Sequence, residues 1–334
     1  MAQQKRANQT DIAERLGVSV STVSRALANE IGISDAVRRD VQRMARTLGY
    51  KSKHNTSAAS GDKRAVALVP LGSATSGLAG FYFGIVEGMR AQAADAGMML
   101  DVRLVNESTV TLDMIKRQAA QSDAGGVLLA GIDAWDELLA WSAETAVPVV
   151  LVNGSDPQMR VSSVSPANFY GAFMATQRLI DAGHTRIMHY AQKHRPTLLL
   201  RQRGFQAAIA ANPGTVGTVV YNADVQSQQL LADLLAGKHD VTALFSWNDI
   251  AAVEILESLY GGDKSISPDF SIIGFDDLPI AAMTTPRLST IRVDREAIGR
   301  GAVRLLQQHM DGETAPQQLE IGVTMVPGET VFSI

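Results

Sequence analysis

Several polar residues of this chain stand where short apolar runs end, and that placement is what small-molecule chemistry needs. Arg201 opens a helical pattern after the loop 191–197, where its guanidinium fork can hold a carboxylate, a phosphate or paired hydroxyls. Asn248 and Asp276 follow the apolar runs 243–246 and 271–274, where each could hold adjacent hydroxyls of a sugar, and Trp247 offers a ring for stacking. Plainer uses stay open for the same groups: Asp276-Asp277 could cap the next turn, and Arg201 could pair with a neighbouring acid. A second group lies near the N-terminus, where Val20, Ser21, Ser24 and Arg25 recur at helical spacing. Ser21 can exchange hydrogen bonds with a base edge, Val20 can pack on a thymine methyl, and Arg25 can bridge guanine O6 and N7. Thr10, Thr22, Asn29, Arg6 and Lys51 suit phosphates, which fix position rather than sequence. The bland alternative for this region is a small helical bundle with a solvated Arg25.

Covalent chemistry has no comparable grouping. Cysteine is absent, which removes disulfides, thiolate metal sites and cysteine nucleophiles together. The chain contains no Gly-x-x-x-x-Gly-Lys-Ser/Thr loop, Gly-x-Gly-x-x-Gly fingerprint, Gly-x-Ser-x-Gly elbow or His-Glu-x-x-His helix. His54, His184, His189, His194, His239 and His309 lack ligand spacing, and His184 reads as a helix-end residue. The expectation is a protein that is not an enzyme, with no metal and no cofactor.

The elements that must position these residues can be read from periodicity. Near the N-terminus, Thr10 can cap a first helix with Ile12, Ala13 and Leu16 on one face and Gly17 at its end. Ser19 then caps a second helix whose inward face is Val23, Ala26 and Leu27. Ser34 starts a third, with Val37, Val41, Met44, Ala45 and Leu48 as its apolar stripe and Gly49 closing it. Two short helices joined by Gly17-Val18-Ser19 and braced by a third follow the helix-turn-helix plan. Residues 51–64 are small, polar and basic, which marks a linker.

Beyond it, apolar runs at 65–70, 98–105, 126–129, 147–152, 186–190, 216–221, 243–246 and 271–274 alternate with helical patterns. The latter fall at about 81–96, 112–122, 133–145, 168–182, 198–211, 225–236 and 250–260. Such alternation gives an α/β fold of parallel sheets with helices on both faces. The number of units favours two lobes, with ligand bound in the cleft beyond the carboxyl ends of the strands.

Charge divides along the same line. Residues 1–64 hold 12 Lys and Arg against 6 Asp and Glu, whereas the rest of the chain holds 18 against 28. A basic head on an acidic body points to a polyanion at the head alone. The N-terminus carries no apolar stretch that could serve as a signal peptide and no segment has the length of a membrane span, so a cytoplasmic location is expected.

The run from Asp11 to Asn29, with its Val-Ser-x-x-Thr-Val-Ser-Arg core, followed by Leu48-Gly49-Tyr50, resembles the head of the lactose-repressor (LacI/GalR) family. The likeness extends through Phe81-Tyr82 leading to Gly88, Asn168 to Gly171, Ala182 to Ile187, Arg201 to Phe205, Trp247-Asn248-Asp249 and Pro268 to Pro279. It implies a helix-turn-helix domain over 1–50, a hinge over 51–64 and a sensor domain over 65–334 with the fold of periplasmic sugar-binding proteins. The two lobes would comprise about 65–165 plus 294–320, and 166–290 plus 321–334. It also implies that Val20, Ser21 and Arg25 read bases while Thr22 and Asn29 hold the backbone.

Ala59 falls at about the place of the family's minor-groove leucine, where an alanine is a poor wedge. Arg195 and Thr197 match effector-contacting positions, and Phe81-Tyr82 matches a stretch whose tyrosine position packs on the ligand. The resemblance thus implies a transcriptional regulator, a repressor, that binds a palindromic operator in double-stranded DNA as a homodimer under control of a carbohydrate. Two arginines favour an anionic one, a sugar acid or sugar phosphate. The competing readings are an enzyme on a doubly wound fold, for example a sugar kinase or hydrolase, against which the missing motifs argue, and a transport-type binding protein, against which the missing signal peptide and the basic head argue.

Overall fold

The computed structural model describes residues 8–27, 33–34, 37, 40–41, 43–45, 48, 63–71, 80–193, 195–260 and 270–334, and excludes the side chains of residues 107 and 258–260. The chain divides into two compact units, Met1–Asp62 and Lys63–Ile334.

In the first unit, α1 spans Gln9–Leu16 and α2 spans Val20–Leu27. The cap of α1 is Asn8 rather than Thr10. Asn8 Oδ1 accepts from the backbone N–H of Thr10 and Asp11 (2.8 and 3.1 Å), and Asp11 Oδ2 accepts from Asn8 N–H at 2.7 Å. This reciprocal box satisfies free donors at both ends of the first turn, so it wins over a threonine two residues later, which lies exposed within the helix. Gly17 ends α1 in the left-handed conformation (φ 64°), where a side chain would be strained. Ser19 Oγ accepts from Thr22 N–H at 3.0 Å, the expected cap of α2.

The third segment is helical at residues 37, 40–41 and 43–45. Val41 and Ala45 are buried with Ile12, Ala13, Val23 and Ala26, while Leu16, Leu27, Val37, Met44 and Leu48 pack around them. The outward face of α2 keeps Val20, Ser21 and Arg25 exposed. The expected linker lies almost wholly outside the described residues.

The second unit opens with β1 (Lys63–Pro70), which takes in the last two residues of the anticipated linker. A six-stranded parallel sheet follows the order β11-β5-β4-β3-β1-β2, with β2 Met98–Val105, β3 Val127–Ala130, β4 Val149–Val152, β5 Ser162–Pro166 and β11 Gln318–Ile321. Alternation along β1 sorts its side chains: Val66 and Leu68 join the core under α4 (Leu112–Gln121) and α5 (Asp136–Thr145). Ala65, Ala67 and Val69 face the opposite core, which holds α3 (Phe81–Asp95).

A second parallel sheet has the order β7-β6-β8-β9, formed by Val216–Tyr221, Arg186–Ala191, Ala243–Ser246 and Ser271–Ile273. Its flanking helices are α6 (Asn168–Asp181) and α7 (Pro196–Ala211) on one face, with α8 (Ser227–Leu235) and α9 (Asp249–Tyr260) on the other. Helix α7 begins at Pro196, two residues ahead of the sequence reading, because proline needs no N–H partner in a first turn; Arg201 therefore lies in the second turn.

Three crossings tie the sheets into one unit. The chain leaves the second sheet through β10 (Thr290–Val293), enters α10 (Arg295–Met310) against α3 on the first, adds β11 at that sheet's edge, and returns as β12 (Val323–Val326), antiparallel to β10. No described helix is long and apolar enough to cross a membrane.

Candidate functional site

Beyond the carboxyl ends of the strands lies a cavity of about 370 Å³. Its walls come from both sheets. Pro70 ends β1, Phe81 and Tyr82 begin α3, and Gly131 and Asn153 follow β3 and β4; from the other side come Gln192 after β6, Arg195, Leu198 and Arg201 at the start of α7, Trp247, Asn248 and Ile250 after β8, and Asp276 and Leu278 after β9. Side chains held at strand ends are fixed by the sheet yet free of its ladder, which suits them to a ligand.

Arg201 is the most constrained group in this wall, only 3% exposed. Its Nε donates to Asn168 Oδ1 at 2.8 Å, one Nη to the carbonyl of Trp247, and the other to Asp276 Oδ1 at 3.2 Å. The guanidinium also lies 3.6 Å from the centre of the Phe275 ring. Burial pushes Arg201 below the ordinary arginine value, with Asp276 opposing the shift.

Burial likewise raises the Asp276 carboxyl to about 6, against the pull of Arg201 and Arg295. Both Asp276 and Asp277 have positive φ (113° and 49°), a conformation costly for residues with a Cβ. Arg295 holds that turn by donating to the carbonyls of Asp276 (2.8 Å) and Asp277 (3.3 Å), and Arg292 Nε pairs with Asp277 at 2.6 Å. Asp249, at the start of α9, is raised well above the usual carboxylate range by burial and then by Asp276; it accepts from Thr290 Oγ1 at 2.5 Å and Leu278 N–H at 2.7 Å.

Arg195 reaches across to the first sheet. One Nη donates to the carbonyl of Asn153, its Nε lies 3.4 Å from Asp133 Oδ2, and Tyr82 is within its hydrogen-bonding reach. Asn153 Nδ2 donates to the Tyr82 hydroxyl at 3.1 Å. The Gln192 Oε1 and Trp247 Nε1 atoms are buried in the wall with no hydrogen-bond partner among the described residues. They are an acceptor and a donor that a guest molecule could satisfy.

Of the eight sequence-predicted effector residues, Phe81, Tyr82, Arg195, Arg201, Trp247, Asn248 and Asp276 line the cavity together. Thr197 does not: it is buried in the first turn of α7, its hydroxyl without a partner among the described residues. Sequence reasoning missed Asp133, Asn153 and Gln192. Each sits one to three residues past a strand, which was the available signal, but none differs in type from an ordinary loop residue. In the head, Thr10, Ser19, Val20, Ser21 and Arg25 are exposed and Thr22 is partly so, its hydroxyl 2.8 Å from Ser19 Oγ. Asn29, Lys51 and Ala59 lie outside the described residues. His184 follows α6 as expected, fully buried, with its ring nitrogens 2.9 Å from Thr242 Oγ1 and 2.8 Å from Ser271 Oγ.

Known proteins share these features. A profile of the bacterial regulatory proteins of the lacI family matches residues 10–53, and one of the periplasmic binding protein-like domain matches residues 176–331. The transcriptional repressor CytR of Escherichia coli (strain K12) is 28% identical over 323 residues, covering 93% of this chain and 92% of that protein. The transcriptional regulator CelR of Thermobifida fusca is 27% identical over 330 residues, covering 94% and 95%.

Among solved structures, a transcriptional regulator CelR–cellobiose complex superposes with a TM-score of 0.69 at 26% identity, over 97% of this chain and all of that one. The lac repressor dimer bound to operator and an anti-inducer has a TM-score of 0.68 at 20% identity over 98% of this chain and 100% of that one, a likeness of fold. With a helix-turn-helix head that matches the lacI profile and a body that matches the periplasmic binding protein-like domain, this chain is similar along nearly its whole length to transcriptional regulators of the lacI type.

Proposed function

We propose that the protein is a cytoplasmic, homodimeric repressor that binds a palindromic operator and whose affinity for it is set by a carbohydrate in the cavity. The single observation that carries this reading is the coexistence of a capped α2 with Val20, Ser21 and Arg25 exposed on its outer face and a cavity walled by strand ends of two sheets. In this reading α2 enters the major groove, Ser21 and Arg25 meet base edges, Val20 meets a methyl, and Thr10, Thr22, Asn29 and Lys51 hold phosphates. Ser19 acts through its cap, fixing the entry angle of α2. Ala59 lies in the segment joining head to body, which we take to end at Asp62, since β1 begins at Lys63.

The body is read as two lobes, one around each parallel sheet, linked by the three crossings. Phe81, Tyr82, Arg195, Arg201, Trp247, Asn248 and Asp276 are assigned to the effector, and Thr197 to the support of the α7 first turn. An effector that favours one closure of the lobes changes the spacing of paired heads, and a two-fold operator registers that change. The protein has no catalytic role in this scheme. A sugar-binding or sugar-modifying protein without a gene-regulatory role accounts for the cavity but leaves the basic head unused.

The deciding experiment is enrichment of genomic fragments on the purified full chain at near-physiological salt, because non-specific binding fades as salt rises. A few enriched palindromes are expected, released or strengthened by a sugar-containing cell extract. Uniform enrichment of all fragments, with or without extract, would remove the regulator from consideration.

A further inference from the structure

The cavity contains two arginines, and neither is free. Arg201 is bound to Asp276, and Arg195 is bound to Asp133, a residue that does not itself line the wall. Asp133 is held in place from behind: its Oδ1 accepts from Ser155 N–H at 2.8 Å while Oδ2 faces Arg195 Nε at 3.4 Å. Both members of that pair are about one-quarter exposed, so water screens the pairing only in part.

We propose that Asp133 is a specificity-determining residue: by neutralising Arg195 it removes the one cation that could hold an acidic group, and so restricts the cavity to uncharged, hydroxyl-bearing ligands. The inference deepens the effector reading of the cavity and rests on it. Two further observations agree. Gln192 Oε1 can only accept and Trp247 Nε1 can only donate, and both are buried without partners among the described residues. A hydroxyl can serve each of them in turn, whereas a carboxylate has no proton for Gln192. The deeper cation is unavailable as well, because the Arg201 fork is divided among Asn168, the Trp247 carbonyl and Asp276. The pair of arginines that favours an acidic ligand in the sequence therefore meets a matching pair of aspartates in the fold.

The test is a gain of anion binding by the full chain, read by thermal unfolding at constant ionic strength set with chloride. Sulfate and glucuronate, each at about 20 mM, are expected to leave the melting temperature of the natural chain within about 1 °C. In Asp133→Asn the amide oxygen still accepts from Ser155 N–H but the charge is gone, and either anion should raise the melting temperature by about 2 °C or more. Asp133→Ser serves the same purpose should the asparagine variant not fold. Adding Arg195→Gln to the variant should abolish the gain, which ties it to that guanidinium. Stabilisation of the natural chain by either anion, or no gain in either Asp133 variant, overturns the assignment.

A second arm separates this inference from the reading beneath it. A bacterial metabolite extract is divided on an anion-exchange resin, and the unretained fraction is expected to stabilise the natural chain. Stabilisation by the retained fraction alone overturns the charge selection and leaves an effector cavity in place. A chain that responds to neither fraction overturns the effector cavity and this assignment with it.

Discussion

Asp276 lies within hydrogen-bonding distance of Arg201 and yet too deep for water to solvate its charge, and burial wins: the carboxyl is raised from its ordinary 3.8 to about 6. A raised acid stabilises the fold while it is protonated. Its contribution is complete below the unfolded value and is lost as pH rises through the folded one. His189 acts in the opposite sense. Burial between Phe205 and Phe245 lowers it from 6.5 to about 4, so its contribution is present above the unfolded value and lost as pH falls through the lower one.

The two slopes overlap, and a pH–stability curve of the natural chain alone would mix them. Measured against Asp276→Asn by urea unfolding, the natural chain should lose relative stability steadily between about pH 4 and 7. A difference that grows with pH would mean a carboxyl lowered by Arg201 instead. At fixed pH, Arg201→Ala leaves Asp276 buried without its partner and should cost about 3–5 kcal/mol in the same assay. Arg201→Lys should recover little of this, because one ammonium cannot serve three acceptors arranged for a planar fork. Asp276 was legible in the sequence because it stands just past a strand, and Arg201 because it follows a loop at the opening of a helical pattern. Asp133 was not, since its partner Arg195 lies 62 positions away and only the folded sheets bring the two together.

At the scale of elements, most strands and helices follow from hydrophobic periodicity, and the exceptions have physical causes. β5 reads Ser-Ser-Val-Ser-Pro, a turn-like composition, yet it is an interior strand between β4 and β11. Its serines are tolerated there because partners are supplied from afar: Ser162 Oγ lies 2.7 Å from His309 Nε2 and accepts from Gln317 N–H at 2.8 Å. Helix α10 escaped notice because its partner is distant in sequence, and its close seat on α3 depends on two glycines. A Cβ at Gly88 would lie 2.1 Å from the Glu296 carbonyl oxygen, and one at Gly299 would lie 2.0 Å from that of Ile85. Both obstacles are backbone, so no rotamer change relieves them. Gly88→Ala is therefore expected to destabilise the body by about 2 kcal/mol or more, read as a lower urea midpoint. In the head, Ser19→Ala removes the acceptor of Thr22 N–H and should cost about 0.5–2 kcal/mol, seen as weaker helical signal from the head and weaker operator binding.

For the molecule as a whole, net charge misleads. The formal −4 hides a head with twice as many basic as acidic residues and a body with the reverse excess. Counterion release depends on the cations that reach phosphates, so an acidic protein can still show the salt dependence of a basic one. A dimer placing roughly six to ten cations on phosphates should lose about 10³- to 10⁵-fold in operator affinity between about 50 and 200 mM salt. Lys116, exposed on α4 of the body, should not enter that count: Lys116→Gln should leave the slope unchanged. Arg25→Ala should weaken operator binding by about 1–3 kcal/mol and flatten preference at one base pair, while binding to unrelated DNA falls far less. Filter binding or anisotropy across a salt series, with operator and scrambled duplexes in parallel, separates the two effects. Equal losses on both duplexes for Arg25→Ala would make that residue a phosphate contact and leave the reading of sequence to Val20 and Ser21. An altered slope for Lys116→Gln would show that the body also meets the polyanion, and the division of labour drawn from the charge split would fail.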